Sequence, residues 1–93
     1  LGEGIGMLAL RRLEDAKRDG NRIHAVIRGI GGASDGKGTA IYTPLPSGQA
    51  RALRRAYEQA GYGPDAVDLV EAHGTGTKAG DRAEIEGLHL VFG

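Results

Sequence analysis

The sequence predicts an α/β protein, and three observations support that fold class. Val67, Leu69 and Val70 make a short, mostly apolar segment that is typical of a buried strand. Apolar side chains recur at helical spacing in the segment before this run, from Ser47 to about Ala60. A second helix is predicted to begin at Asp81. Helix, strand and helix in this order are what a parallel sheet requires.

The N-terminal part of the chain is predicted to alternate strand, helix and strand. Ile5 to Leu13 is a mostly apolar segment after a glycine turn, and we predict a strand there. Leu13 to Arg18 is predicted to form one or two helical turns, which Asp19-Gly20 ends. A second strand is expected from Ile23 to Ile30, followed by a glycine-rich loop over Gly31 to Gly38.

The middle of the chain predicts an amphipathic helix. Pro44 and Pro46 favour an extended backbone, Ser47 is a good N-cap, and Gly61 is expected to end the helix. The face expected to pack inward carries Leu53, Ala56, Tyr57 and Ala60, and the solvated face carries Arg51, Arg54, Arg55 and Glu58.

The C-terminal third contains the most informative pattern, in which an apolar run leads into a histidine. Val67 to Ala72 is predicted to be a strand that ends at His73. Open α/β sheets bind ligands beyond the carboxyl ends of their strands, so His73 would lie at such a site. The helix from Asp81 is expected to direct Ile85, Leu88 and Phe92 inward.

The loop after His73 has the composition of a binding loop. Gly74, Gly76 and Gly80 have no Cβ, so the backbone can turn sharply or approach a ligand closely. Thr75 and Thr77 place hydroxyls at alternate positions, where both can reach the same side. The pattern favours a polar, thin ligand.

Composition excludes several classes of protein. Twelve lysines and arginines balance twelve aspartates and glutamates, so no charge excess favours nucleic acid or a membrane surface. No apolar run is long enough to cross a membrane. The absence of cysteine excludes disulfides and thiolate metal sites. We therefore expect a cytoplasmic protein with no metal site, no nucleic-acid partner and no membrane partner.

The motif His73-Gly74-Thr75-Gly76-Thr77, followed by Ala79-Gly80-Asp81 and Glu84, resembles the first histidine motif of β-ketoacyl synthases. The resemblance extends over nearly the whole chain. Other segments in family order are Gly2-Glu3-Gly4-Ile5-Gly6, Ser34-Asp35-Gly36, Gly48-Gln49 and Glu71-Ala72-His73. The sequence is most similar to ketosynthase domains of type I polyketide synthases and polyunsaturated fatty acid synthases.

The resemblance implies a thiolase-like fold, built from two similar α/β halves. In that fold the chain would be an internal fragment, with residues 1–43 at the end of the first half and residues 44–93 at the start of the second. The cysteine nucleophile, the second histidine and the active-site lysine of the family would lie outside it. The isolated chain is therefore expected to be inactive.

The resemblance also implies an activity and site residues. The family joins acyl and malonyl-type thioesters by decarboxylative Claisen condensation in polyketide and fatty acid biosynthesis. His73 would be catalytic, and Thr75 and Thr77 would bind the phosphopantetheine arm of an acyl carrier protein. The chain itself would hold no cofactor, and the intact domain would be a homodimer.

Two interpretations of Glu84 remain open. By resemblance it contacts the active-site lysine, with Asp81 as the helix cap. By sequence pattern alone, Asp81-x-x-Glu84 before an apolar helix is a capping box that needs no enzyme.

Two alternative functions are also considered. One is a non-catalytic partner protein that resembles a ketosynthase. The other is nucleotide binding by Gly31 to Gly38, which is disfavoured because Gly38 follows Lys37 where a P-loop needs serine or threonine.

Overall fold

The computed structural model describes residues 2–37 and 43–93. Three α-helices lie in this part of the chain, α1 (Leu13–Arg18), α2 (Pro46–Ala60) and α3 (Lys78–Phe92). A 3-10 turn covers Pro64–Ala66. The segment from Thr39 to Tyr42 and the predicted end of the glycine-rich loop at Gly38 lie outside the described residues.

Helix α1 has the predicted bounds and is held by side-chain ion pairs. The Asp15 carboxylate accepts from Arg12 at 3.0 Å and from Arg18 at 2.9 Å. Gly20 follows the helix with a φ of 65°, which agrees with the predicted Asp19-Gly20 ending. Each exposed ion pair of this kind adds little to stability, about 0.3 to 0.5 kcal/mol in a helix.

Helix α2 ends where predicted but begins two residues earlier, since its N-cap is Leu45 and not Ser47. Gly61 adopts a φ of 81° and its N–H bonds to the Tyr57 carbonyl, a left-handed helix ending that glycine favours. At the other end, Pro46 occupies the first turn and Leu45 is the N-cap, so the prediction that Ser47 is the cap is wrong. Proline suits the first helical position because it lacks an N–H that would have no partner there.

Helices α2 and α3 pack against each other through small residues. Ala50 is fully buried on α2, and Ala83 and Gly87 are buried on α3. A Cβ added at Gly87 would lie 3.2 Å from the Pro46 carbonyl oxygen, so the two helices meet closely. The Arg54 guanidinium donates to the Leu90 carbonyl at 2.7 Å across the same interface.

The inward face predicted for α3 is partly wrong. Ile85 is 54% exposed, so its predicted inward direction is wrong, whereas Leu88 is half-buried and the Phe92 ring packs edge-on against Tyr57 of α2 with ring centroids 6.0 Å apart. Ala83 and Gly87 are the buried residues of α3. Close packing of two helices favours small residues at the contact, and this places the larger side chains at its margin. The predicted inward face of α2 is confirmed, since Leu53, Ala56, Tyr57 and Ala60 are all half-buried.

The glycine-rich segment after the second predicted strand lies directly on α2. A Cβ at Gly29 or Gly31 would collide with the α2 backbone carbonyls of Ala56 and Ala52. The Ile30 N–H donates to the Gln59 side chain at 2.6 Å. These contacts fix the end of the segment that precedes the glycine-rich loop.

None of the three predicted strands is formed in the described residues. The segments Ile5 to Arg12, Ile23 to Ile30 and Val67 to Ala72 have neither helix nor strand, and Leu13 belongs to α1. Their apolar side chains are largely exposed, with Ile5 at 92% and Leu69 at 84%. A strand exists only when its backbone groups pair with a neighbour, and these segments have no such neighbour in the described structure.

Candidate active site

The candidate site is the loop from His73 to Thr77, which connects the predicted strand to α3. Gly74 has a φ of 54° and Gly76 a φ of 78°, so both occupy the left-handed region that glycine adopts without strain. The two glycines alternate with residues that bear functional side chains. The backbone therefore turns twice within a short stretch and keeps this loop next to the first turns of α3.

Glu84 holds the backbone at the catalytic candidate. Its two carboxylate oxygens accept from the His73 N–H at 2.6 Å and from the Gly74 N–H at 3.0 Å. Glu84 lies on α3, so this pair of bonds ties the loop to a rigid helix. Hydrogen bonds to an ionised carboxylate are stronger than those between neutral groups.

Asp81 holds the next turn of the same loop. Its Oδ1 accepts from the Gly76 N–H at 3.2 Å. Asp81 and Glu84 are three residues apart and therefore share one face of α3. Between them, the two carboxylates pair with the backbone donors of His73, Gly74 and Gly76.

The predicted role of Asp81 as the helix cap is wrong. Helix α3 begins at Lys78, and the Thr77 side chain accepts from the Gly80 N–H at 3.1 Å as its N-cap. The threonine hydroxyl satisfies this otherwise unpaired donor in the first turn. The capping-box interpretation of Glu84 is also wrong, because its oxygens bond to His73 and Gly74 instead.

The environment of Glu84 favours its ionised form. Hydrogen bonds from the Gly74 and His73 backbone N–H groups hold the pKa of the Glu84 carboxyl below 4.5, its ordinary value. Because the pKa is lowered, these bonds stabilise the folded state fully when the pH is above the ordinary pKa of a glutamate. The stabilisation is lost as the pH falls through the lowered pKa of Glu84. The loop is therefore held by a carboxylate throughout the neutral range.

The two threonine side chains lie together. Thr75 Oγ1 is 3.2 Å from Thr77 Oγ1, a distance at which one hydroxyl donates to the other. Both residues are exposed, and so is His73. The structure thus brings His73, Thr75, Thr77, Asp81 and Glu84 together at one end of α3, where the sequence predicted them.

Gly80 has a contact in the site that the sequence did not predict, since it was expected only to let the backbone turn sharply or approach a ligand closely. A Cβ there would collide with Thr77 Oγ1 and would lie 3.1 Å from Thr75 Oγ1. The sequence feature that could have revealed this role is the glycine inside the first turn of a helix. Glycine is unfavourable there unless a neighbouring group needs the space.

The described residues form no metal site. No group of three or more histidine, aspartate or glutamate side chains is placed to hold a metal ion in residues 2–37 and 43–93. The predicted glycine-rich loop ends at Gly38, which lies outside the described residues. The nucleotide-binding alternative stays disfavoured on the sequence, because Gly38 stands where a P-loop needs serine or threonine. Among the described helices, none has both the length and the apolar character needed to span a bilayer.

The site is a loop that carries a histidine and two paired hydroxyls and is held by two carboxylates of the helix that follows it. Comparison with known proteins gives the family. The model of the β-ketoacyl synthase C-terminal domain matches residues 24–93. The chain belongs to the β-ketoacyl synthase family.

Relatives in this family are large proteins. The chain is 58% identical over 92 residues to a polyunsaturated fatty acid synthase subunit from Thraustochytrium sp., covering 99% of the chain and 3% of that protein. It is 49% identical over 92 residues to a phenolphthiocerol/phthiocerol polyketide synthase subunit from Mycobacterium bovis, covering 99% of the chain and 5% of that protein. The chain thus spans a small part of the relatives that it matches.

Solved structures confirm the fold class. A β-ketoacyl synthase from Burkholderia phymatum superimposes with a TM-score of 0.80 and 42% identity, covering 86% of this chain and 19% of that one. The predicted thiolase-like α/β class is therefore correct, although the strands themselves are absent from the described residues. The predicted division at residues 43 and 44 stays a prediction.

We predict that Glu84→Gln in the intact ketosynthase lowers the turnover rate by about tenfold to a hundredfold. The reason is that loss of a loop bond would move His73 out of its reacting position. Glutamine has one acceptor oxygen and would place an NH₂ group against a backbone N–H, so at least one of the two loop bonds is lost. The measurement is condensation rate at saturating carrier protein.

A matched control for this change is Glu86→Gln on the same helix. Within residues 2–37 and 43–93, Glu86 pairs with the exposed Arg82 at 2.8 Å, so its replacement should leave turnover near the original rate. Equal turnover in the Glu84 variant and the unchanged enzyme would remove Glu84 from the site.

Proposed function

We propose that the chain is part of a β-ketoacyl synthase that performs decarboxylative Claisen condensation of acyl and malonyl-type thioesters, and that His73 is catalytic. The observation that carries the proposal is the position of His73 on a loop tied to α3 by Glu84, beside two threonine hydroxyls. Family membership supports this assignment.

In the proposed reaction, a cysteine elsewhere in the intact domain accepts the acyl group as a thioester, since the chain contains no cysteine. The extender thioester then loses CO₂, and the electron pair of the broken C–C bond moves toward the thioester carbonyl to form an enolate. The enolate carbon attacks the acyl thioester, and the cysteine thiolate leaves. The product is a 3-ketoacyl thioester on the carrier.

His73 acts on the decarboxylation step. Negative charge builds on the extender's carbonyl oxygen as CO₂ departs, and a fixed imidazole N–H donor stabilises that charge more than the ground state. For this role the ring must be neutral with the proton on Nε2. The hydrogen bonds from His73 and Gly74 to Glu84 keep the backbone under the ring in one place.

The remaining residues bind and support. Thr75 and Thr77 contact the phosphopantetheine arm, whose amides run along one edge and suit a hydroxyl pair on a glycine-flanked loop. Glu84 additionally balances the active-site lysine of the intact domain, and Asp81 supports the loop at Gly76. The proposed partners are an acyl carrier protein and a second copy of the intact domain, and the proposed location is the cytoplasm.

The test of this function uses the purified ketosynthase that contains these residues. It is incubated with an acyl carrier protein loaded with acetyl or malonyl groups, and mass spectrometry follows the carrier. The proposal expects a 3-ketoacyl carrier and one CO₂ for each product. Carrier that stays acetylated and malonylated, with enzyme that is folded and dimeric, would contradict the proposed activity.

A further inference from the structure

The chain contains two peptide bonds in which glycine follows aspartate, Asp19-Gly20 and Asp35-Gly36. Both lie outside the helices, and all four residues are exposed. Both glycines occupy the left-handed region, with a φ of 65° at Gly20 and 67° at Gly36. Exposure and the conformation of the glycine therefore do not separate the two bonds, whereas the contacts of the two carboxylates do.

An aspartate followed by glycine can isomerise without an enzyme or an oxidant. The main-chain nitrogen of the glycine attacks the side-chain carboxyl carbon, the nitrogen loses its proton, and water leaves as a succinimide ring closes. Water then opens the ring at either carbonyl, which regenerates aspartate or gives isoaspartate, whose main chain runs through the former side chain. Glycine favours ring closure because no Cβ crowds the attacking nitrogen.

The Asp19 carboxylate is held by two guanidinium groups. Arg18 Nε donates to one carboxylate oxygen at 3.0 Å, and Arg11 donates to the other. These bonds, that from Arg18 first and that from Arg11 second, hold the pKa of the Asp19 carboxyl below its ordinary value. The Gly20 N–H donates to the Lys17 carbonyl at 3.3 Å. Ring closure at Asp19 must break these contacts, and it needs an uncharged carboxyl because the oxygen leaves as water.

The Asp35 carboxylate lacks such cations among the described residues. It takes part in none of the ion pairs within residues 2–37 and 43–93. Its Oδ1 lies against Gly48 in the first turn of α2, where an added Cβ would collide with it. The Gly36 N–H donates to Ser34 Oγ at 3.2 Å, in a segment without helix or strand. No helix bond or cation therefore holds the two reacting groups apart.

We infer that Asp35-Gly36 is a site of spontaneous isomerisation in the folded protein, and that Arg11 and Arg18 protect Asp19-Gly20 from the same reaction. The inference does not depend on the proposed function. Isoaspartate adds a methylene group to the main chain and moves the carboxylate. The contact between residue 35 and Gly48 is then lost, so the modified protein should melt at a lower temperature.

The test uses the intact ketosynthase, kept folded in neutral buffer below its melting temperature. Isoaspartate is located by electron-transfer fragmentation of peptides from samples taken over time. It should accumulate at position 35, while position 19 stays at the level of the starting sample. Equal amounts at the two positions, more at position 19, or none at position 35 would overturn the inference.

The same enzyme unfolded in denaturant separates the effect of structure from that of sequence. The guanidinium contacts of Asp19 are absent in the unfolded chain, so both bonds should isomerise at comparable rates. If position 19 remained unmodified after unfolding, the folded contacts would not be what protects it, and the inferred role of Arg11 and Arg18 would be wrong.

Variants test each half of the inference in the folded enzyme. A double variant with Arg11→Ala and Arg18→Ala should raise isoaspartate at position 19 toward the level at position 35. Asp35→Glu should lose most of the methyl groups that an isoaspartyl methyltransferase transfers from S-adenosylmethionine, since glutamate closes its larger ring more slowly. Unchanged methylation of Asp35→Glu, or an unmodified position 19 in the double variant, would contradict the corresponding half.

Discussion

Replacing His73 with alanine in the intact ketosynthase is expected to raise the barrier for decarboxylation by about 2 to 4 kcal/mol, as for the loss of one oxyanion donor. This corresponds to a rate loss of roughly thirtyfold to a thousandfold. Acylation of the cysteine should continue, because the imidazole acts on the enolate and not on the first acyl transfer. The loop backbone should keep its conformation, since Glu84 bonds to N–H groups that alanine retains.

Release of CO₂ from a malonyl carrier measures this effect directly, and mass spectrometry of the enzyme measures acylation. His24→Ala is the matched control. His24 is exposed, and in sequence it is distant from the loop of His73 to Thr77. Its rate should equal that of the unchanged enzyme. Decarboxylation at a near-normal rate in His73→Ala would remove His73 from the catalytic set.

The isolated chain is expected to have no condensing activity and no stable native fold. The buried apolar residues in the described structure are the small side chains Ala16, Ala50 and Ala83. Many large apolar side chains are exposed instead, among them Ile5, Met7, Leu8, Ile30, Leu69 and Ile85. Burial of apolar surface is the main force that offsets chain entropy, and here little is buried.

Thermal unfolding and amide spectra of the isolated 93-residue chain test this expectation. We expect aggregation or a broad, weakly cooperative transition, since the exposed strand segments offer unpaired backbone groups to other chains. The full-length ketosynthase is the control and should unfold cooperatively. A sharp transition with dispersed amide resonances from the isolated chain would show that these residues form a domain of their own.

Helices were the elements that local sequence predicted well. The end of α2 at Gly61 follows from a residue that adopts a φ of 81° at little cost, and α1 has its predicted bounds. The start of α3 was misplaced, because Thr77 and Asp81, one helical turn apart, are both good caps. Sequence alone does not decide which of them reaches the free backbone donor.

The three predicted strands were not confirmed, and the physical reason differs from that for the start of α3. Apolar content at Val67 to Val70 predicts burial between neighbours, but pairing depends on partners that are distant in sequence. The described chain supplies none, and Leu69 and Val70 are exposed. The fold class was nevertheless correct, as the superposition on a solved ketosynthase shows.

The structure places the residues of the candidate site close together, but their contacts did not follow from the sequence, and their roles stay predictions. Glu84 lies 11 positions after His73, and nothing in the spacing states that its carboxylate bonds to the loop backbone. The pair formed by Thr75 and Thr77 and the space supplied by Gly80 likewise emerge only in three dimensions.

A crystal structure of the intact ketosynthase with an unreactive malonyl-pantetheine analogue tests the central claim most directly. We predict that the carbonyl oxygen of the analogue lies about 2.7 to 3.1 Å from Nε2 of His73, the distance expected for an oxyanion donor. The arm should pass over Thr75, with Glu84 still bonded to the loop. An analogue bound with its carbonyl oxygen away from His73, while the loop keeps its conformation, would contradict the assignment of His73 as the donor to the enolate.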